Sequence, residues 1–156
     1  MGQKIADIKD VQGMYRMMNI DTLIDENTGR VALHVGVKEV EMTLIQTACL
    51  ENNNLHFMTV MPEKVPAELM GPIKQKIAES NHEMLLGSFD VSPETRQIAF
   101  RSTIMLSGKD RVSLETFHTH MMAGVNAFSR YGGKLQNVLR EEYAFSDKSS
   151  KDIMFR

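Results

Sequence analysis

The chain has 156 residues, of which 42% are hydrophobic and 24% are charged, and its formal net charge is −2. This length and composition fit one globular domain and exclude a chain that is mostly disordered. The slight acidic excess argues against binding to nucleic acid through phosphate neutralisation, because such proteins carry a surplus of Lys and Arg. We therefore expect no nucleic-acid partner.

The single cysteine, Cys49, excludes an intrachain disulfide and fits a reducing compartment. The first residues contain no apolar segment of signal-peptide length. No apolar run approaches the roughly 20 residues that a membrane-spanning helix needs. These features predict a cytoplasmic protein with no membrane partner.

The first half of the chain predicts one helix and three strands. Apolar residues recur every three to four positions from Ile5 to Met18, which indicates a helix, and turn formers follow at Asp25–Gly29. The spacing then changes to an alternation of apolar and polar residues, which predicts three antiparallel strands over residues 31–37, 40–50 and 55–61.

Two local features modify this picture of the strands. The alternation slips near Leu44 and Ile45, which suggests a β-bulge. The run Asn52–Asn54 suits a tight hairpin turn, because asparagine tolerates the left-handed backbone conformation that such turns require.

The second half predicts a helix, two strands and a long helix. The helix lies between Val65 and Asn81, and Pro72 implies either that it begins near Gly71 or that it kinks there. Alternation predicts the two strands over residues 84–91 and 97–106. Ser113 is a good N-cap for the last helix, whose apolar residues form one stripe: Leu114, Phe117, Met121, Val125, Phe128, Leu135 and Leu139.

These elements together predict an α+β fold with a five-stranded, mainly antiparallel sheet and three helices, in the order αβββαββα. We expect a single domain over residues 1–145 and a polar, frayed tail over residues 146–156.

No residue pattern predicts a catalytic site, a metal site or a cofactor. His118 and His120 are two residues apart, so on a helix they lie on opposite sides and cannot share one ion. The turn at Asp25–Gly29 begins like a calcium loop, but Gly36 stands where the last glutamate ligand belongs. Cys49 lies within a predicted strand and is expected to be an inert, buried thiol.

The face of the sheet that points away from the helices is unusually apolar for a surface in water. The alternation within each strand assigns two small apolar residues, Ala32 and Ala99, to this face. It assigns three polar residues to the same face: His34, Arg101 and Thr103. Either a helix or a partner must cover it. The candidate partner-binding or dimer face consists of four larger apolar residues of that parity: Ile45, Met58, Val60 and Met105.

The local sequence resembles that of the YbjN-like family, whose fold is similar to that of type III secretion chaperones. Four segments carry this resemblance: Glu79–Asn81, Leu85–Val91, Ile98–Leu106 and Ser113–Phe117. The order of helix, three strands, helix, two strands and long helix is also that of the chaperones. The resemblance covers roughly residues 5–142, and its motifs are structural.

The resemblance implies a chaperone-like or regulatory module without established catalysis, and it provides no catalytic residue to transfer. This chain is only weakly acidic, whereas secretion chaperones tend to be clearly acidic. We expect a non-enzymatic homodimer that holds a protein partner through apolar surface. One alternative is a small-molecule or cofactor sensor with an enclosed pocket between sheet and long helix, lined by Met121, Phe128 and Met58. The other is an enzyme with clustered His or Glu in a cleft.

Overall fold

The computed structural model of the protein describes residues 2–106 and 111–154, with side chains as far as Arg140. Two 3₁₀ turns, Lys38–Val40 and Ala67–Leu69, join longer elements. The helices and strands are β1 (Gln3–Lys4), α1 (Ile8–Met17), β2 (Leu23–Asp25), β3 (Arg30–Val37), β4 (Met42–Glu51), β5 (Asn54–Lys64), α2 (Met70–His82), β6 (Ser88–Val91), β7 (Gln97–Met105), β8 (Arg111–Val112) and α3 (Leu114–Met154).

The main sheet is antiparallel and has six strands in the order β2-β3-β4-β5-β7-β6, while β1 and β8 pair separately. The α+β class and the three helices are confirmed. The predicted count of five strands and the order αβββαββα are wrong, because β2 is a three-residue edge strand that pairs with the start of β3. A strand of that length leaves no alternation to detect.

The helix ends follow their capping residues. Helix α1 begins only at Ile8, because Asp7 caps it and Asp10 completes a reciprocal capping box. Pro72 is the third residue of α2 and lies in its first turn. The helix therefore begins near Gly71, as one of the two expectations held, and does not have Pro72 in its interior. Ser113 accepts a hydrogen bond from the Thr116 amide at 3.1 Å and caps α3 as expected.

The strand β4 carries no bulge at Leu44 and Ile45, contrary to the expectation from its sequence. Its pairing with β3 runs without interruption from Val37–Met42 to Arg30–Cys49. The alternation slips because Gln46, a polar residue, faces the core and is fully buried, whereas Ile45 faces the other side. The irregularity in the sheet lies instead between Val60 and Lys64 of β5.

All three helices join hydrophobic clusters on one face of the sheet. The first cluster unites α2 and the middle of α3 with β6, and Ile73, Phe89 and Phe128 are among its members. The second unites α1 and the start of α3 with the opposite end of the sheet, through residues such as Tyr15 and Phe117.

A band of three buried polar residues separates the two clusters on the sheet surface beneath α3. Gln46, Thr59 and Ser102 each stand between an apolar residue of one cluster and an apolar residue of the other along their strands. Gln46 donates to the Met121 carbonyl at 2.8 Å, and Ser102 donates to the His120 carbonyl at 3.2 Å. We call these three residues the polar band.

Two further hydrogen bonds complete the polar band. Gln46 donates to the Thr59 hydroxyl at 3.1 Å and accepts from the Tyr15 hydroxyl at 2.8 Å. Burial raises the pKa of Tyr15, which keeps the phenol protonated and able to donate. The band therefore fixes α1 and α3 on the same part of the sheet.

Helix α3 approaches the band closely because Gly124 has no side chain. A Cβ atom at Gly124 would lie 2.7 Å from the Cβ of Thr59 and would also collide with its hydroxyl. Gly133, farther along the same helix, has only Val40 within 4 Å of its Cβ position, at 3.7 Å. The first glycine is thus required by packing, and the second is not.

We predict that Gly124→Ala destabilises the protein by about 1–3 kcal/mol, because the added methyl group must push α3 off β5. Gly133→Ala is the matched control and should be neutral or stabilising by up to about 1 kcal/mol, since alanine is the better helix former. Urea denaturation of both variants measures these changes. Thr59→Gly should reduce the cost of Gly124→Ala, and equal effects of the two glycine substitutions would contradict the analysis.

A second prediction concerns Phe128, which lies in the middle of the apolar stripe and is fully buried. Its ring packs edge-on against Phe89 with the ring centres 5.0 Å apart. Phe128→Ala should therefore lower the free energy of unfolding by about 3–5 kcal/mol. An unchanged denaturation midpoint would show that this stripe does not form the core.

Candidate protein-binding face

The sheet surface opposite the described helix contacts, which we call the open face, is set by the strand registers. His34, Ile45, Val60, Ala99 and Asp90 form one row across β3, β4, β5, β7 and β6. Alternation within each strand then places every second residue on the same face. The registers place Ala32, Met58, Arg101 and Thr103 on the open face, as the sequence predicts.

Five apolar side chains meet near the middle of the open face. Ile45 pairs with Val60 and Val60 pairs with Ala99, while Met58 and Ala32 lie in the next row, both opposite Thr47. We call these five residues the apolar centre. They are half-buried or buried by the sheet itself.

The four candidate residues are not all neighbours. Ile45, Met58 and Val60 belong to the apolar centre, but Met105 does not. Met105 pairs with Asn54 at the end of the β4–β5 hairpin, and 74% of its surface is exposed. The parity of the sequence assigns a residue to a face, but only the register shows how far apart two residues lie on it.

A concavity of about 310 Å³ lies beside the apolar centre. Arg30, Cys49, His56 and Thr103 form a row across four strands and line it. The Nδ1 atom of His56 lies 3.0 Å from the Thr103 hydroxyl. We call this the basic concavity, because Arg101 of the adjoining row also lines it.

Cys49 is half-buried in this concavity rather than fully buried, which corrects the sequence expectation. Its place within a strand suggested burial, but its parity on β4 is that of Ile45 and not that of the buried Ala48. The residues that the sequence did not single out here are Arg30 and His56. Only the pairing of β3, β4 and β5 brings them together.

The two edges of the main sheet differ. At β6, Asn81 of α2 accepts from the Phe89 amide at 2.7 Å and donates to the Phe89 carbonyl at 2.9 Å. Asp90 accepts from the Val91 amide at 2.8 Å. At the other edge β2 pairs with β3 only as far as Ala32, so among the described residues Leu33–Val37 pair only with β4.

Two further apolar grooves are present. The first adjoins the apolar centre, because Ala32 and Ile45 line it, and the second lies on the helix side of the sheet. One of about 340 Å³ runs along the open edge of β3, between residues 20–23 and His34. The other, of about 370 Å³, lies between α3 and residues 83–86, where Leu85 is fully exposed. The enclosed pocket expected for a sensor is not formed from its three residues, because Met58 faces away from the core that contains Met121 and Phe128.

Among the described residues, no three His, Cys, Asp or Glu side chains are grouped closely enough to hold a metal ion. His118 is exposed on α3, and His120 is half-buried and stacks on Phe57 with the ring centres 6.5 Å apart. The turn at Asp25–Gly29 connects β2 and β3, and Asp25 accepts from the Asn27 amide there. Within the described ranges, no helix combines the length and apolar character needed to cross a bilayer.

Comparison with solved structures identifies the fold. The crystal structure of YbjN from E. coli, a candidate transcription regulator, matches with a TM-score of 0.61 and 12% identity over 92% of this chain and 96% of that one. The HopA1-SchA chaperone-effector complex matches with a TM-score of 0.52 and 10% identity over 79% of this chain and 89% of the other. The protein therefore has a YbjN-like, chaperone-like fold, as the sequence resemblance implied.

Sequence comparison adds nothing to this identification. No model of a known protein family matches the chain, and no curated protein matches it either. The structural likeness, at 12% identity or less, establishes the fold alone.

The segments that carried the resemblance have clear structural roles. Asn81 joins the end of α2 to β6 through the two hydrogen bonds to Phe89. Gly87 precedes β6 with a positive φ of 75°, and a Cβ atom there would lie 2.6 Å from the ring of Phe100 and collide with the Arg101 carbonyl. Asn81 and Gly87 therefore fix the position of β6 at the edge of the sheet.

We predict that His120 makes the stability of the protein depend on pH. Burial lowers the pKa of His120 from its usual value of 6.5, and no described residue bonds to its buried Nδ1 atom. The unfolded chain therefore takes up a proton more readily than the native one, so stability falls as the pH drops below 6.5. Urea denaturation at several values between about pH 5 and pH 8 measures this slope.

His120→Gln should reduce the loss of stability at low pH, while His118→Gln, on the exposed side of the same helix, should leave it as in the natural protein. If the two substitutions change the slope equally, another group is responsible for the pH dependence.

Proposed function

We propose that the protein is a non-enzymatic protein-binding module, chaperone-like or regulatory, that acts as a homodimer and holds a partner polypeptide through apolar surface. The observation that carries this proposal is the apolar centre of the open face. Its residues lie on the side of the sheet opposite the contacts of α1, α2 and α3. An apolar surface surrounded by polar residues is typical of protein interfaces.

The composition of the open face also supports binding to protein. Polar and charged residues surround the apolar centre, including Thr43, His34, Asp90 and Arg101. Such an arrangement provides an apolar core and a polar rim, in which the rim fixes the register of the partner. The names of the two structural neighbours, a candidate regulator and a chaperone bound to its effector, agree with this class of function.

The geometry gives less support to catalysis. The hydroxyl of Tyr15 is bonded to Gln46 in the core, and His120 is packed against Phe57 beneath the sheet. Neither lies on the open face, and they do not form an acid–base pair in a cleft. We therefore propose that the function is recognition rather than catalysis. We also propose a cytoplasmic location, since the single cysteine fits a reducing compartment.

A second copy of the chain is the first partner to consider. Two-fold homodimers are the commonest oligomers, and the resemblance to secretion chaperones also implies a dimer. A stable interface buries about 1,200–2,000 Å² in total, and the apolar centre could form its middle. Instead of a second copy, a polypeptide partner could occupy the apolar centre itself. It could extend to the open edge of β3, whose backbone groups pair with no second strand among the described residues and adjoin the groove at residues 20–23.

We predict that Met58→Lys and Ile45→Glu dissociate the homodimer, because each buries an unpaired charge in the apolar centre. Met105→Lys is the matched control, since it introduces the same charge on the same face but outside the centre. Light scattering at micromolar concentration measures the mass, and circular dichroism confirms that each variant is folded.

A wild-type mass near 17.7 kDa would remove the homodimer from the proposal. A dimer that all three folded variants retain would move the interface from the open face to a helix. Dissociation by Met105→Lys alone would place the interface at the hairpin end of the sheet.

A further inference from the structure

We infer that the basic concavity binds a carboxylate group of an acidic polypeptide segment that docks on the open face. This inference rests on the proposed function and specifies the chemistry of the partner. It is based on the placement of two arginines and one histidine around an unfilled hollow beside the apolar centre.

The arginines stand on opposite walls of the hollow. Arg30 is on β3 and Arg101 is on β7, with β4 and β5 between them. Three strand spacings across the sheet and two residues along it separate the two backbones by about 16 Å. Cys49 and His56, which are direct partners on β4 and β5, form the floor. An anion above the floor can therefore be contacted from both sides.

Neither guanidinium group forms an ion pair with a carboxylate among the described residues. The ion pair found there joins Lys76 and Glu79 of α2. Asp25 is the direct cross-strand neighbour of Arg30, but its carboxylate accepts from the Asn27 amide in its own turn. Glu51 is the one acidic residue that lines the hollow, and it is exposed at the end of β4. The two arginines thus outnumber the acidic group.

His56 adds a further donor, and Thr103 holds its ring. In the tautomer that accepts the Thr103 hydroxyl at Nδ1, Nε2 of His56 carries the proton and remains available to an acceptor. Thr47 supplies a further hydroxyl to the lining. Guanidinium groups together with such donors favour a planar oxyanion, because charge-assisted hydrogen bonds are stronger than neutral ones.

The position of the hollow relative to the apolar centre indicates what carries the anion. Ile45 and Cys49 are four residues apart on β4, as are Val60 and His56 on β5. This corresponds to about 14 Å along a strand. An extended segment aligned with the strands also advances about 14 Å over four residues. When one of its apolar residues lies over the apolar centre, the residue four positions away therefore lies over the hollow. The predicted partner therefore has an apolar residue and an Asp or Glu four positions apart.

The first experiment tests the oxyanion site by itself. Side-chain Nε–H signals of the arginines are followed by NMR while sodium acetate replaces sodium chloride at constant ionic strength. We expect the signals of Arg30 and Arg101 to shift and saturate, while that of Arg16, on the helix side, does not. If no arginine signal shifts, or if all three shift alike, the oxyanion site is overturned.

The second experiment tests the polypeptide. The probe is the eight-residue peptide Val-Thr-Val-Thr-Glu-Thr-Glu-Thr, in which each valine is followed four positions later by a glutamate. The control peptide has glutamine in place of both glutamates. We expect the glutamate peptide to bind about 10-fold more tightly in 50 mM NaCl. High salt should reduce this preference, since the site is open to solvent.

Arg30→Gln and Arg101→Gln should each abolish most of the preference, and Arg16→Gln, with the same change in charge, should leave it. Equal binding of both peptides to the natural protein would overturn the inference and leave the proposed function in place. Saturable acetate shifts without binding of either peptide would instead remove the docked polypeptide and leave a site for small oxyanions.

Discussion

The arrangement of the protein depends on the polar band beneath α3. Gln46 and Ser102 bond to carbonyl groups of the helix, and Gly124 lets the helix backbone approach Thr59. Loss of any one partner would leave a buried polar group unsatisfied, at a cost of about 1–3 kcal/mol. Because Tyr15 bonds to the same glutamine, α1 is held on the same side as α3. Helices α1 and α3 are thereby held on one face of the sheet, and the described helix contacts lie on the side opposite the open face.

Much of the fold follows from local sequence, because capping and alternation act over a few residues. The cap at Ser113 and the hairpin at Asn52, where φ is 52°, are formed as the sequence predicts. What local patterns could not provide is pairing between distant segments. Strand β2 exists because Leu23–Asp25 meets the start of β3, and β1 exists because it pairs with β8. The slip in alternation at Leu44 and Ile45 reflects no bulge but the buried Gln46, whose partner Met121 belongs to the distant α3.

The candidate site was predictable in its parity but not in its layout. Alternation assigned Ile45 and Met105 to one face. The registers, however, place Ile45 in the row of Ala99 and Met105 six residues farther along β7, at the end of the β4–β5 hairpin. The basic concavity could not be foreseen, because Arg30, His56 and Arg101 come from three strands whose order is a property of the sheet. Single-residue arguments therefore identified the apolar component of the face and Arg101, but not the row that joins Arg30 to His56.

The residues that carry the resemblance act mainly on the fold, although one resembling segment, Ile98–Leu106, also contributes Ala99, Arg101 and Thr103 to the open face. Asn81 and Gly87 carry the resemblance, and both act on β6: the asparagine occupies its outer backbone groups, and the glycine permits its close approach to β7. An edge that is closed in this way is protected from unintended strand addition. Ile45, Met58 and Val60 lie outside all four resembling segments. An architecture shared at 10–12% identity does not determine the partner, so the choice of partner must be sought in side chains of the open face such as these three.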